Sequence, residues 1–161
     1  MRNKQLTLQY EEYASDTELA AEDALLLAKA REAIVHAYAP YSRFRVGAAA
    51  RLDNREIVTG TNQENASFPA GICAERTLLS AIASLYPDAR IDSIAISYDN
   101  EKGASDQPIS PCGICRQSLK EFENRTQHPI RLILGGQTGP VYVIPESGAL
   151  LPLAFAADDL S

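Results

Sequence analysis

At 161 residues, with 45% apolar side chains and a formal charge of -6, the chain fits one domain large enough to bury its own core. The acidic balance argues against a nucleic-acid partner, which needs a basic face, and suits a small neutral or cationic ligand. No run is long and apolar enough to cross a membrane, the polar start Met1–Tyr13 lacks the apolar core of a secretory signal, and the few cysteines suit a metal better than disulfides, so the expected compartment is the cytoplasm.

Residues 1–14 read as a polar, mobile extension, and residues 15–161 as a single domain. Ser15-Asp16-Thr17-Glu18 has the form of a capping box. The run after it, to Tyr38, sets Leu19, Leu26, Ala30, Ala33, Ile34 and Ala37 at helical spacing, which predicts a surface helix ended by Pro40. Val46–Leu52 reads as a buried strand of small residues, able to admit a helix or a ligand closely. Asp53-Asn54-Arg55 turns the chain, and Glu56–Thr61 returns as the second strand of a hairpin.

A polar loop, Asn62–Pro69, leads to a helix expected from about Gly71, with Cys73 in its first turn and Leu78, Ile82 and Leu85 on its buried face. Ile91, Ile94 and Ile96 predict a central strand. After a polar loop, Pro111 introduces a short helix carrying Cys112, Cys115, Leu119 and Phe122. Ile130–Leu134 and Val141–Ile144 are the fourth and fifth strands, and the apolar tail around Leu150–Phe155 should pack on this subunit or the next. The order predicts an α/β fold: a three-layer α/β/α sandwich around a mixed, roughly five-stranded sheet.

Two stretches hold every cysteine: Cys73-Ala74-Glu75-Arg76 and Pro111-Cys112-Gly113-Ile114-Cys115-Arg116. Three thiolates can hold one zinc and leave a fourth position for water, an inventory for hydrolysis rather than for a closed structural site. The Cys112/Cys115 spacing at a helix start puts both sulfurs on one side. Helix N-termini behind the sulfurs favour thiolate over thiol. Glu75 lies about 200° around its helix from Cys73, so the metal must sit over the helix end, where Glu75 can reach the water without binding the metal. Arg76 and Arg116 stand next to these groups and either offset thiolate charge or tie segments together. A C-x-x-C pair alone would also fit a redox site, or a closed site with His128 as fourth ligand; the added Cys73-x-Glu75 stretch favours the reactive site. His36 reads as structural or exposed.

Tyr41-Ser42-x-Phe44-x-Val46-Gly47-Ala48, Asn62-x-Glu64-Asn65-Ala66, Cys73-Ala74-Glu75-Arg76-Thr77, Pro111-Cys112-Gly113-x-Cys115-Arg116-Gln117 and Leu150-Leu151-Pro152-x-x-Phe155, in that order, resemble the cytidine deaminases. With cysteine as the first ligand, the chain looks like their short, homotetrameric branch. The resemblance implies one zinc ion per subunit on Cys73, Cys112 and Cys115, and a small-molecule nucleoside substrate deaminated by Glu75. It implies that Asn62 and Glu64 hold the ribose, that Phe44 packs on the pyrimidine, and that Ala74 contacts the base through its backbone. It also implies that Arg76 bonds the ligand thiolates and that Phe155 reaches a neighbouring subunit's site. The implied assembly is a homotetramer, with a homodimer as the smaller alternative.

The extension before Glu18, the tail Phe155-Ala156-Ala157-Asp158 and the approach Ile144–Ala149 depart from the family pattern. A deaminase of a related aminated nucleoside such as blasticidin S, and a zinc-stabilised assembly module, are the competing readings. A deoxycytidylate enzyme would be expected to show histidine as first ligand and a phosphate-binding element.

Overall fold

The structure, a computed structural model, describes residues 1–160. Its strands are β1 (Glu11–Tyr13), β2 (Phe44–Leu52), β3 (Ile57–Thr61), β4 (Ile91–Asn100), β5 (Arg131–Gly135) and β6 (Val141–Ile144). Its helices are α1 (Ala21–Ala33), α2 (Ala74–Leu85) and α3 (Gly113–Thr126). The sheet order is β1-β6-β5-β4-β2-β3, antiparallel except for the parallel β4/β5 pair.

Alternation along the strands divides the core. Ala49, Ala95, Ile133 and Val143 face α1, through Leu26, Leu27 and Ala30. Ala48, Ala50, Ile94, Ile96, Leu132 and Leu134 face α2 and α3, through Leu78, Ile82, Leu119 and Phe122. This is the expected three-layer sandwich. Small strand residues set its spacing: a Cβ on Gly60 would lie 2.5 Å from the Leu78 amide nitrogen, so β3 and α2 touch backbone to backbone.

Apart from helix ends displaced by a few residues, three details differ from the sequence reading. The sheet has a sixth strand, because residues 11–13, expected to be mobile, pair with the β6 edge in the register Glu11↔Val143 and Tyr13↔Val141. Tyr10 adds a ring contact with Tyr142 at 4.9 Å between centroids. Three mostly charged residues carry no readable period, yet a short charged segment is what suits a sheet edge.

Second, Ser15 caps nothing; its hydroxyl meets the Thr17 hydroxyl at 2.6 Å. The Glu18 carboxylate accepts from the Ala14 amide at 2.8 Å, so the segment forms a separate 3-10 turn and α1 starts only at Ala21. Third, Leu85 is 69% exposed, and Leu79 takes its place on the buried face of α2. On its own subunit the apolar tail packs only in part. Leu150 is buried, while Leu153 and Phe155 are 94% and 57% exposed.

Candidate metal and substrate site

The two helices that carry the cysteines begin on the same side of the sheet. Cys73 is the N-cap of α2 and Cys112 the N-cap of α3, each with extended backbone. The Cys73 carbonyl accepts from the Arg76 and Thr77 amides, and the Cys112 carbonyl from the Arg116 amide. Two-way pairing of the Gln63 and Ile72 backbones closes the 64–71 loop and fixes the approach to Cys73.

The three sulfurs converge to within 4.8 Å of one another. Cys73 Sγ lies 3.8 Å from Cys112 Sγ, which lies 3.5 Å from Cys115 Sγ. A tetrahedral zinc with sulfurs at its usual bond length needs sulfur–sulfur edges of about 3.8 Å, so the thiols fit that ion with little adjustment. The set comprises these three residues among the described ones. His128, the alternative ligand, lies beyond the far end of α3, with Nε2 3.3 Å from Asp92. Exposure grades across the set, from buried Cys115 to half-buried Cys73 to exposed Cys112, so one side of the cluster faces outward.

Cys73 and Cys115 are already polarised. Cys73 is pulled down to about 6, chiefly by hydrogen bonding from the Cys115 thiol, against the cost of burial and repulsion from Glu75; Cys112 and Arg76 assist. Cys115 is pushed up, because it keeps the proton that it shares with Cys73 and because it is buried. Metal binding must displace that proton.

Glu75 is only 5% exposed, at the second position of α2. Burial raises its pKa above the ordinary glutamate value, and hydrogen bonds from its own amide and from Cys115 offset part of the rise. A cavity of about 310 Å³ opens beside it, bounded by Ser42, Phe44, Val46, Asn62, Ile109 and Ser110 and floored by Cys73, Ala74, Glu75 and Cys112.

The other residues singled out by sequence take these places. Phe44 walls the cavity, and Asn62 reaches it while holding β2: its Oδ1 accepts from the Val46 amide at 2.8 Å and its Nδ2 donates to the Phe44 carbonyl at 2.9 Å. Glu64 stands just outside the cavity wall. It accepts from the Tyr41 amide at 2.8 Å and the Ser42 amide at 3.3 Å, which fixes the turn that presents Ser42. Arg76 points into a groove between α2 and α3 with Leu79 and Arg125, so its influence on Cys73 is through charge. Arg116 bonds the Pro111 and Leu150 carbonyls at 2.8 and 3.1 Å, tying the start of α3 to the tail. Phe155 lies exposed on the α3 side, its carbonyl accepting from Gln117 at 2.9 Å, and does not enter the cavity of its own chain.

Sequence reasoning missed Ser42, Val46, Ile109 and Ser110 as lining residues. Val46 was within reach, since strand alternation puts it on the same face as Phe44. Ile109 and Ser110 become visible only once the loop before Pro111 is seen to fold over the thiols.

A cavity floored by two of three converging thiols and a buried carboxylate, between two helix N-termini, belongs to metal-assisted hydrolytic enzymes. Residues 20–128 match the family model described as the cytidine and deoxycytidylate deaminase zinc-binding region, and the chain belongs to that family. The chain is 37% identical over 137 residues to a cytidine deaminase of Halalkalibacterium halodurans, covering 85% of this chain and 96% of that one. It is 38% identical over 140 residues to a cytidine deaminase of Mycobacterium tuberculosis, covering 84% of this chain and 91% of the relative. Among solved structures, the cytidine deaminase of Burkholderia pseudomallei superposes with a TM-score of 0.71 at 37% identity, over 85% of this chain and all of that one.

Proposed function

We propose that the protein is a zinc-dependent cytidine deaminase that hydrolyses cytidine and 2′-deoxycytidine to uridine and 2′-deoxyuridine, releasing ammonia, as a pyrimidine-salvage enzyme. The observation that carries this reading is the buried carboxylate of Glu75 at the floor of a cavity that also reaches Cys73 and Cys112, two of the three converging thiols. A purely structural metal site would need neither the cavity nor a buried acid.

Cys73, Cys112 and Cys115 hold one zinc ion per subunit, which when bound supplies a Lewis acid that makes water nucleophilic near neutral pH. Glu75 moves the protons. It takes one from the attacking water and gives it to N3 of the cytosine ring, which makes C4 electrophilic. It then takes the remaining proton from the new C4 hydroxyl and gives it to the amino group, so that the C4–N bond breaks, the C4 carbonyl forms and ammonia leaves. A carboxyl group with a raised pKa suits both directions of transfer, because its acid and base forms lie closer in energy near neutrality.

Phe44 packs against the pyrimidine, the Ala74 backbone contacts the base, and Asn62 with Glu64 holds the ribose. A second subunit's Phe155 completes the pocket in a homotetramer, and Arg76 and Arg116 temper the charge of the thiolates. The catalytic unit spans residues 15–161, and the enzyme works in the cytoplasm. Likeness to cytidine deaminases over 85% of this chain supports the deaminase reading. No helix among the described residues is long and apolar enough to cross a membrane.

The test is ammonia release from cytidine, cytosine and cytidine monophosphate by the parent and by Glu75→Gln. Cytidine should be turned over best, and Glu75→Gln should keep its zinc and fold while losing turnover by at least about a thousandfold. Turnover by Glu75→Gln near the parent rate would sink the proton-shuttle assignment. Equal kcat/KM for the nucleoside and the free base would sink the ribose clamp.

A further inference from the structure

Among the described residues Phe44 is the only aromatic side chain lining the cavity, and it does not stand alone. Tyr98 lies against it on the same face of the sheet. The ring centroids are 4.9 Å apart and the planes 15° from parallel. Tyr98 is 5% exposed and is not part of the cavity wall, so its ring can act on a substrate only through Phe44. The register explains the pairing. Tyr98 sits opposite Val46 and Asn100 opposite Phe44, so Tyr98 and Phe44 are diagonal neighbours on one face, within reach of aromatic side chains.

Tyr98 is itself fixed from the far side. β4 registers with β5 only over Ser93–Ile96, which leaves the later part of β4 without a strand partner on that side. Gln137, in the turn after β5, takes the strand's place. Its Nε2 donates to the Tyr98 carbonyl at 2.8 Å, and its amide donates to the Ser105 carbonyl at 2.6 Å. The Asn100 amide donates to the Ser105 hydroxyl at 2.9 Å. The same turn therefore holds both Tyr98 and the loop that ends in the lining residues Ile109 and Ser110.

We propose that Tyr98 is a positioning residue for substrate binding. It holds the Phe44 ring in the plane the cavity needs, and Gln137 locks it in place. This rests on the cytidine-deaminase reading above. An aromatic residue with free rotation about its side-chain bonds must lose that freedom when a base packs on it. A ring already stacked on a buried neighbour has lost it beforehand, so the benefit appears in binding rather than in proton transfer.

The test is steady-state kinetics on cytidine with zinc-loaded protein, alongside zinc content and thermal midpoint. Tyr98→Leu removes the stacked ring and should raise KM about threefold to tenfold while kcat stays within about twofold. Tyr98→Phe keeps the ring and should restore the parent KM. In a Phe44→Leu background, Tyr98→Leu should add no further rise in KM, because the effect passes through Phe44. If Tyr98→Leu does not fold, Tyr98→His, which keeps a smaller flat ring, is judged by the same criteria with an intermediate rise expected. An unchanged KM, a fall confined to kcat, or an equal KM rise in the Phe44→Leu background would overturn the proposal. Absence of cytidine turnover by the parent would instead overturn the reading on which it rests.

Discussion

Cys73 shows how much of a site one residue can carry. As the N-cap of α2 it lies at the positive end of the helix, and it receives a hydrogen bond from Cys115. In metal-free protein the Cys115 hydrogen bond, helped by Cys112 and the Arg76 charge and opposed by burial and Glu75, brings its thiol to about 6, against 9.0 for an ordinary cysteine. A lowered thiol pKa means that the reactive thiolate forms above about pH 6 and is lost below it. After chelation, Cys73 should be alkylated by iodoacetamide readily at pH 7.5, and the rate should fall roughly tenfold for each pH unit below the midpoint. Added zinc should protect it. Peptide mapping by mass spectrometry reads the outcome, and a Cys73 rate that still climbs steeply between pH 8 and 9 would contradict the geometry. The sequence showed Cys73, Cys112, Cys115 and Glu75 because their chemistry depends on side-chain type and short spacing. It did not show Tyr98, whose role depends on facing Val46 across β2 and lying diagonal to Phe44. That neighbourhood is created by register, and nothing near Tyr98 in the chain announces it.

At the scale of the elements, the presence of the helices was legible and their ends were not. Apolar periodicity marks α1, α2 and α3, but a helix starts where its first amides find acceptors, and the Ser15 hydroxyl turned out to be bonded to Thr17 instead. The placement of α3 shows another determinant that a sequence hides. Glu123 is 5% exposed, yet its Oε1 accepts from the Ile130 amide at 3.0 Å, the Ser147 hydroxyl at 2.7 Å and the Gly148 amide at 3.2 Å. Lys120 Nζ approaches the other oxygen at 3.7 Å. One carboxylate thus fastens α3 to the start of β5 and to the 3-10 turn at Ser147–Leu150. In a chain with 21 acidic residues, nothing distinguishes this one until the fold brings its donors together. Glu123→Ala leaves three donors unpaired in a place water reaches poorly, and should cost about 3 kcal/mol of stability. Urea denaturation should show the midpoint falling at constant m-value. A loss below about 1 kcal/mol would mean that the three bonds do little to hold α3.

For the whole molecule, the question is how the N-terminal segment relates to catalysis. The family model begins at residue 20, and the Burkholderia pseudomallei enzyme matches over its full length while leaving 15% of this chain uncovered, by its 85% coverage. β1 lies outside residues 20–128, which the family model matches. It pairs through Glu11–Tyr13 with β6, and Tyr13 packs beside the α1 core. In the sheet order it stands three strands from β4, about 14 Å away at ordinary strand spacing, with the thiol cluster on the α2 and α3 side beyond. Deleting residues 1–14 should thus leave kcat/KM for cytidine within about twofold of the parent. Stability should change more. The deletion removes the strand pairing, the Tyr13 packing and the Tyr10–Tyr142 contact, together about 1–3 kcal/mol, or a fall of several degrees in thermal midpoint for a chain of this size. It also uncovers β6, whose Val141-Tyr142-Val143-Ile144 is an apolar edge of the kind that pairs with other copies. Light scattering on heating should therefore begin at a lower temperature in the truncated protein. An unchanged midpoint and unchanged scattering would show that β1 neither stabilises nor protects the edge. A large loss of kcat/KM in folded, zinc-loaded truncated protein would place the segment in the working site, across a distance that the sheet order says is too great.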